Sequence, residues 1–451
     1  MNKRKVVITG LGMATALGLD VEENWQKALS GISGISKLTY PHAENSKVQA
    51  VGEIKSTNWA RLQQEFPEDA VREGERRTLF ALWAAQQALK DGGLVRKNTE
   101  HRSQNIDKKN AENNLGSGLW APGSESFRSG VILAAGLGIN RLEDVQKWIG
   151  KDGNFAYERF GREHKGIHRE SIVKNNSHRP SALIAKRFGL NGYNATVTTA
   201  CASASQAIGL AFRLIRRGDA DMMLAGGADS MINPVGLIFF VLLGAAASSA
   251  DSPEETCRPF DRKRGGLVMG EGAGIVVLEE EAHALKRGAK IYAEVAGYGT
   301  TIDAYQVTAP HPKGEGAEHA MRAALLDADT APGEIDYINA HGTSTKLNDS
   351  AETLAIKNVF KEHAYSLCVN SSKSIIGHLI AASGGPELIF TALSVLRNEI
   401  HPTLNLKNPD PKCDLDYVPN VKRAKIVRSA ISNSFGFGGQ NASIIIKKFK
   451  S

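Results

Sequence analysis

The stretch Val197-Thr198-Thr199-Ala200-Cys201-Ala202-Ser203-Ala204-Ser205-Gln206-Ala207 decides how the chain is read. Its β-branched start predicts a buried strand. The run breaks at one cysteine and continues as small, helix-compatible residues into Ile208-Gly209-Leu210-Ala211-Phe212. A thiol at such a strand-to-helix turn sits near the first free N–H groups of the helix, whose partial positive charge favours a thiolate. The small neighbours of Cys201 leave room for a substrate. An isolated cysteine also packs well as a small buried hydrophobe. The stretch alone leaves both readings open, nucleophile and core.

Working outward, the 451 residues suffice for two or three ordinary domains or one large duplicated one. With 42% hydrophobic residues, 23% charged residues and 45 glycines, the composition is that of a globular α/β protein with many tight turns. Cys201, Cys257, Cys368 and Cys413 are widely spaced and form no CxxC pair. A disulfide framework and a zinc cluster are therefore unsupported, and a reducing compartment is expected. Met1-Asn2-Lys3-Arg4-Lys5 passes at once into the strand-like Val6-Val7-Ile8-Thr9, without the apolar region of a secretory signal. The most apolar segment, residues 235–247, is only 13 residues long, too short for a membrane span. It is expected as buried core or as the wall of an apolar pocket. The net charge of +7 is modest and does not by itself imply nucleic acid.

Along the chain, residues 6–18 predict a strand and a glycine-containing loop. Gly10-Leu11-Gly12 invites a dinucleotide reading, but Thr15 stands where the third glycine of that fingerprint belongs. Helical patterns follow at 21–29 and 75–91, the latter with Leu79, Leu82, Ala85 and Leu89 on one face. Residues 95–127 are polar and irregular and predict an exposed insertion. Strand patterns return at 130–136, 219–229 and 273–278, then at 291–295, 335–340, 368–370, 427–433 and 442–447, with helical patterns at 351–360 and 379–397 between them. Strands alternating with helices in both halves imply an α/β architecture of helices layered on sheets. The expected division is an N-terminal half, 1–290, carrying Cys201, and a C-terminal half, 291–451. No residue-level repeat proves a duplication.

Three further stretches carry chemistry: Asn339-Ala340-His341-Gly342-Thr343-Ser344-Thr345, Ser371-Ser372-Lys373-Ser374-Ile375-Ile376-Gly377-His378, and Asn433-Ser434-Phe435-Gly436-Phe437-Gly438-Gly439-Gln440-Asn441. Each histidine follows a strand pattern and sits among Gly, Ser and Thr, as a residue facing a cleft does. Together with VVITGLGMATALG (6–18), TTACASASQAIG (198–209) and CRPFDRKRGGLVMGEGAGIVVLEE (257–280), these stretches closely resemble the β-ketoacyl-acyl-carrier-protein synthases, nearest to the elongating synthase II group. The resemblance covers nearly the whole chain outside 95–127.

The resemblance implies a thiolase-like αβαβα fold of two similar halves with stacked sheets, and a homodimer. It implies decarboxylative Claisen condensation of acyl-carrier and malonyl-carrier thioesters in fatty-acid elongation, in the cytoplasm. The partner is acyl carrier protein, which brings the phosphopantetheine arm; no metal or resident cofactor is implied, nor nucleic acid or stable membrane insertion. Cys201 matches the nucleophile, and His341 and His378 complete a Cys-His-His set. Lys373 matches a lysine that organises the site, with Glu387 its carboxylate partner and Glu352 a further acidic residue. Phe437 matches the gate, and its N–H and that of Cys201 would form the oxyanion hole. Thr343 and Thr345 match contacts to the arm, while Phe240, Leu137 and Phe435 fall near the acyl pocket. Arg76 and Arg77, with Lys165 and Arg169, match basic residues that meet the acidic carrier.

The chemistry needs these residue types: a thiolate and paired N–H donors for acyl transfer, then neutral imidazoles on the enolate oxygen. Three features depart from the resemblance. They are the 95–127 insertion, the bulky Ile238, Phe239, Val241 and Leu242 with Gly244 in place of a frequent arginine, and Leu267 in place of a phenylalanine. The first two keep a condensing enzyme of a specialised polyketide or lipid pathway in view. A non-condensing carrier-binding subunit is the other alternative, and the retained Cys201, His341 and His378 argue against it.

Overall fold

The computed structural model describes residues 4–39, 46–94, 128–136, 146–163, 176–248 and 252–450. The 95–127 stretch, Leu137, Lys165 and Arg169 lie outside the described residues.

Among the described residues, ten strands form the main sheet. In chain order they are β1 (Val6–Ala14), β2 (Ser129–Ala135), β3 (Asn194–Val197), β4 (Met222–Ser230), β5 (Glu271–Glu280), β6 (Ala293–Ile302), β7 (Tyr337–Asn339), β8 (Cys368–Asn370), β9 (Ser429–Gly436) and β10 (Gln440–Lys447). Across the sheet they run β8-β7-β9-β10-β6-β1-β5-β4-β2-β3. Each half thus has its own five strands in the order third, second, fourth, fifth, first. The directions repeat as well. β2 is parallel to β3 and β4, and β5 is antiparallel to β4 and β1. In the same way β7 is parallel to β8 and β9, and β10 is antiparallel to β9 and β6. The fold is a duplication that no residue-level repeat reveals, and its second copy starts with β6. The first strands of the two copies, β1 and β6, pair antiparallel from Val6–Val295 to Ile8–Ala293. The two expected sheets are therefore continuous through one central pairing.

The helices used below are α1 (Val21–Leu29), α2 (Arg76–Asp91), α3 (Arg179–Phe188), α4 (Ser203–Arg217), α5 (Pro234–Leu242), α6 (Glu315–Asp327), α7 (Lys346–Phe360) and α8 (Gly384–Arg397). α4 and α8 touch each other and strands of both copies, so they form the middle layer. Their core joins Ile208, Phe212, Leu388 and Phe390 to Ile8, Leu278, Ile444 and Ile446. α2 and α3 cover the outer face of the first copy, and α6 and α7 that of the second. This is the αβαβα layering. Local signals agree with it: α1 starts where Asp20 accepts from Glu22 N–H and Glu23 N–H, the usual way an aspartate satisfies free helix donors.

Two sequence features find a structural cause here. The glycines of Gly10-Leu11-Gly12 lie inside β1, not in a phosphate loop. A Cβ on Gly12 would sit 1.8 Å from Ala84 O of α2, and one on Gly10 2.1 Å from Ala88 O. They are small because α2 lies against the strand backbone. The segment 235–247 is not a buried core run, but its end, Leu243 to Ala245, forms part of a cavity wall, the second of the two expectations. In α5 Phe240 is buried, while Ile238, Phe239, Val241 and Leu242 are exposed. The helix rests on a small apolar cluster through one face only, and the other apolar side chains point outward.

Replacing Gly12 with valine is expected to destabilise the fold by about 1–3 kcal/mol or more, because the added carbons have no space to enter. A thermal midpoint equal to that of the parent chain would refute the close approach of α2 to β1.

Candidate active site

Cys201 leaves β3 through a strained turn. Ala200 takes φ +49°, a left-handed conformation that costs a non-glycine residue about 1–3 kcal/mol and persists only where its surroundings hold it. Ser203 supplies that hold: its Oγ accepts from Thr199 N–H at 2.7 Å and donates to Ala200 O at 2.6 Å. The turn places Cys201 just before α4, where Ala202 offers no side-chain cap. The 436–439 loop closes over this end. A Cβ on Gly436 would meet Cys201 N at 2.9 Å and Ala202 N at 3.1 Å, so only glycine permits the approach. The approach brings Phe437 N–H to the Cys201 sulfur.

The second copy supplies the histidines. Just beyond β7, His341 N–H and Gly342 N–H donate to the two oxygens of Glu352 on α7, each at 2.9 Å. Asn433 on β9 donates to the same carboxylate at 3.3 Å. Burial still pushes the Glu352 carboxyl up to about 7 against these donors. Lys373 follows β8 and is 1% exposed. It pairs with Glu387 in the first turn of α8 and reaches Nδ1 of His341 at 3.3 Å. An ammonium can only donate, so Nδ1 accepts and the ring proton lies on Nε2. His378 is pinned through its backbone, donating to Val268 O at 2.7 Å and accepting from Gly270 N–H at 2.8 Å. Ile380 N–H donates to its Nδ1 at 3.0 Å, which again puts the proton on Nε2. That Nε2 is buried with no partner among the described residues.

These groups converge. Cys201 Sγ and one ring nitrogen from each histidine lie within 4.8 Å of one another. The two rings stand edge to face, with centroids 5.4 Å apart. Burial first, then the Lys373 charge, pushes both imidazoles well below their ordinary range, so both are neutral at physiological pH. The arrangement can attack a thioester carbonyl from one side and present two imidazole N–H donors to a developing oxyanion.

A cavity of about 390 Å³ opens onto this set. Thr343 and Thr345 line it, with their hydroxyls 2.9 Å apart. Phe435 lines it too, its ring 6.0 Å from that of His341. Phe240 does not line it; it packs with Leu267, Ile380 and Phe437 in the apolar cluster behind the gate. Thr308, Ala309 and Pro310 form part of the wall, and no sequence signal singled them out. Lys346 and Leu347 stand exposed on the rim, beside Gly244.

Two expectations are corrected. Arg76 and Arg77 are not a free, exposed surface pair. Arg76 donates to Glu271 and to Ile54 O and lies over the Trp59 ring. Arg77 is 3% exposed and donates to Gly136 O at 3.0 Å. The first turn of α2 faces the buried Glu271, which captures the cation. The expected thiolate of Cys201 is also opposed by burial in the free enzyme. Burial pushes its thiol up to about 11, outweighing the Lys373 charge and the Phe437 N–H. Iodoacetamide alkylation of Cys201 is therefore expected to accelerate steadily from pH 7 to beyond pH 10, since only the thiolate reacts. A rate that levels off below pH 9 would restore the helix-stabilised thiolate.

Comparison with known proteins gives a consistent result. Residues 3–284 match the β-ketoacyl synthase N-terminal domain, and residues 292–407 the C-terminal domain. A 3-oxoacyl-[acyl-carrier-protein] synthase 2 from Synechocystis sp. is 40% identical over 451 residues, covering all of this chain and 99% of its own. The synthase 2 of Staphylococcus aureus is 40% identical over 452 residues with the same coverage. Among solved structures, a type II polyketide ketosynthase bound to a hexaketide, in complex with its acyl carrier protein, superposes with a TM-score of 0.83 at 32% identity, covering 99% of this chain and all of that one. The ishigamide ketosynthase/chain length factor gives 0.81 at 31%, with the same coverage. The chain belongs to the β-ketoacyl synthase family.

Proposed function

We propose that the chain is a 3-oxoacyl-[acyl-carrier-protein] synthase of the synthase 2 type. It joins an acyl group to a malonyl unit, both delivered on acyl carrier protein, and releases 3-oxoacyl carrier, CO2 and free carrier. The observation that carries this reading is the convergence of Cys201 with two neutral imidazoles whose protons lie on Nε2. In the first step the Cys201 sulfur attacks the acyl thioester. The new C–S bond replaces the bond to the arm, and the thiol proton ends on the departing arm thiol. Phe437 N–H and Cys201 N–H receive the oxyanion. Malonyl carrier then loses CO2, and the electron pair of the broken C–C bond becomes an enolate whose oxygen His341 and His378 hold. Its carbon attacks the acyl-Cys201 carbonyl, a C–C bond forms, and the Cys201 sulfur leaves and takes up a proton. Lys373, with Glu387, keeps His341 in the donating tautomer, and Glu352 fixes its backbone. Thr343 and Thr345 face the pantetheine arm. The reaction as read uses no resident metal or redox cofactor.

Replacing Cys201 with alanine is expected to abolish acyl-enzyme formation, scored by intact mass. Replacing His341 or His378 with alanine is expected to slow malonyl decarboxylation about 10²–10³-fold while acyl loading persists, since each change removes one oxyanion donor. Equal losses in the two assays would sink this division of labour. A second reading, condensation in a polyketide pathway, is favoured by the type II polyketide ketosynthase that superposes at a TM-score of 0.83. Turnover on saturated acyl carriers supports the first reading; turnover on polyketonyl carriers alone supports the second.

We also read the molecule as a homodimer. Among the described residues β3 is the outermost strand of the sheet and pairs only with β2, leaving a hydrogen-bonding edge beside the nucleophile for a partner strand. The outward apolar side chains of α5 add surface of the kind that interfaces cover. All four cysteines are free and buried, and no helix among the described residues is long and apolar enough to cross a membrane. Both facts support a cytoplasmic enzyme. Light scattering on the purified chain is expected to give twice the chain mass at micromolar concentration; a monomer there would rule the homodimer out.

A further inference from the structure

His378 is held by more than its backbone. Ser383 Oγ lies 2.8 Å from Nδ1, the nitrogen that already accepts the Ile380 N–H. Because Nδ1 is an acceptor, the serine hydroxyl must donate to it, and the two donors share one lone pair. Ser383 is 1% exposed. It occupies the N-cap position of α8, yet it makes no side-chain cap. A serine there normally turns its oxygen to the helix N–H groups; this one turns its proton to the imidazole. Among the described residues the hydroxyl has no other partner.

The connection between the two residues is itself constrained. Ile380 takes φ +48°, an unusual conformation for a β-branched residue. Asp229 on β4 holds the next residue, accepting Ala381 N–H at 3.0 Å. The turn from His378 to Ser383 is thus fixed from outside, and the hydroxyl returns to the ring at its far end.

We propose that Ser383 is a positioning residue for decarboxylation: its hydroxyl fixes the plane and tautomer of His378 and opposes a second proton on Nδ1. The proposal rests on the reading of His378 as a donor to the enolate oxygen. An imidazolium carries N–H on both nitrogens, so protonating Nδ1 requires the Ile380 N–H to turn away and the Ser383 hydroxyl to reverse its hydrogen bond, leaving its own proton buried without an acceptor. The other charged or titratable groups facing the ring are Lys373, carrying Glu387, together with His341 and Cys201. Asp229 stands behind the turn. Lys373 and burial oppose protonation from their side, and Ser383 adds a donor at the atom itself.

The test is the pH profile of malonyl decarboxylation by the full-length enzyme with serine or alanine at position 383. With Ser383→Ala, the acid limb is expected to move up by about half to one pH unit. The rate at pH 7 is expected to fall roughly three- to tenfold, with acyl loading of Cys201 unchanged. Ser383→Cys, of similar size but a weaker donor, should fall between the two and serves if the alanine protein is unstable. An acid limb that stays in place overturns the proposal, as does loading that falls in step with decarboxylation. The His378→Ala protein separates the two levels. If it decarboxylates normally, the reading of His378 fails; if it is impaired while Ser383→Ala is not, only the role of Ser383 fails.

Discussion

Where α8 meets α4 and β5, the chain leaves no room for side chains. A Cβ on Gly274 would lie 2.3 Å from Pro386 N, one on Gly385 2.2 Å from Gly274 O, and one on Gly384 2.2 Å from Ser205 Oγ. This contact lets two helices, one from each copy, lie side by side between the sheets. It also sets the distance between the nucleophile turn at the start of α4 and the His378–Ser383 turn at the start of α8. A single added methyl group would part the two copies along the seam where the reacting groups meet.

Within that seam the electrostatics are set by burial more than by any one charge. Lys373 and Glu387 form an ion pair with both side chains 1% exposed. Such a pair gains little stability over an apolar packing of the same volume, so its use lies in what the lysine does next. It gives His341 a permanent donor at Nδ1 and opposes protonation of either ring. Burial acts in the same direction on the imidazoles and keeps the thiol protonated. The free site is therefore built from neutral reacting groups with oriented donors.

Much of this was legible in the sequence. The motifs around Cys201, His341, Lys373, His378 and Phe437 named the groups that the fold brings together, because strand ends and glycine turns leave clear local patterns. Other features depended on packing that no local pattern encodes. Gly10 and Gly12 resembled a phosphate loop because close approach of a helix and of a phosphate both demand the absence of a Cβ. Arg76 and Arg77 resembled a surface pair because their partners are remote in the chain: Glu271, 195 residues from Arg76, and Gly136 O, 59 residues from Arg77. The thiolate expectation weighed a helix end without the cost of removing a charge from water. The α5 segment was apolar enough for a core, but only the sheet around it decides which face is covered. Ser383 sits in a run of small residues with no signal that its hydroxyl would pass over a cap for a ring nitrogen. The duplication was invisible because matching strands meet different neighbours and so carry different side chains.

The repeated strand order has a consequence for where the chemistry can reside. In the first copy the third strand, β3, leads through a turn to Cys201 and α4. In the second copy the third strand, β8, leads through Lys373 and His378 to α8. The two copies use the same place in the motif, one for the electrophile's acceptor and the other for the charge that develops afterwards. Neither copy contains a complete reaction centre, so turnover reports on the docking of the two halves as directly as it reports on any residue.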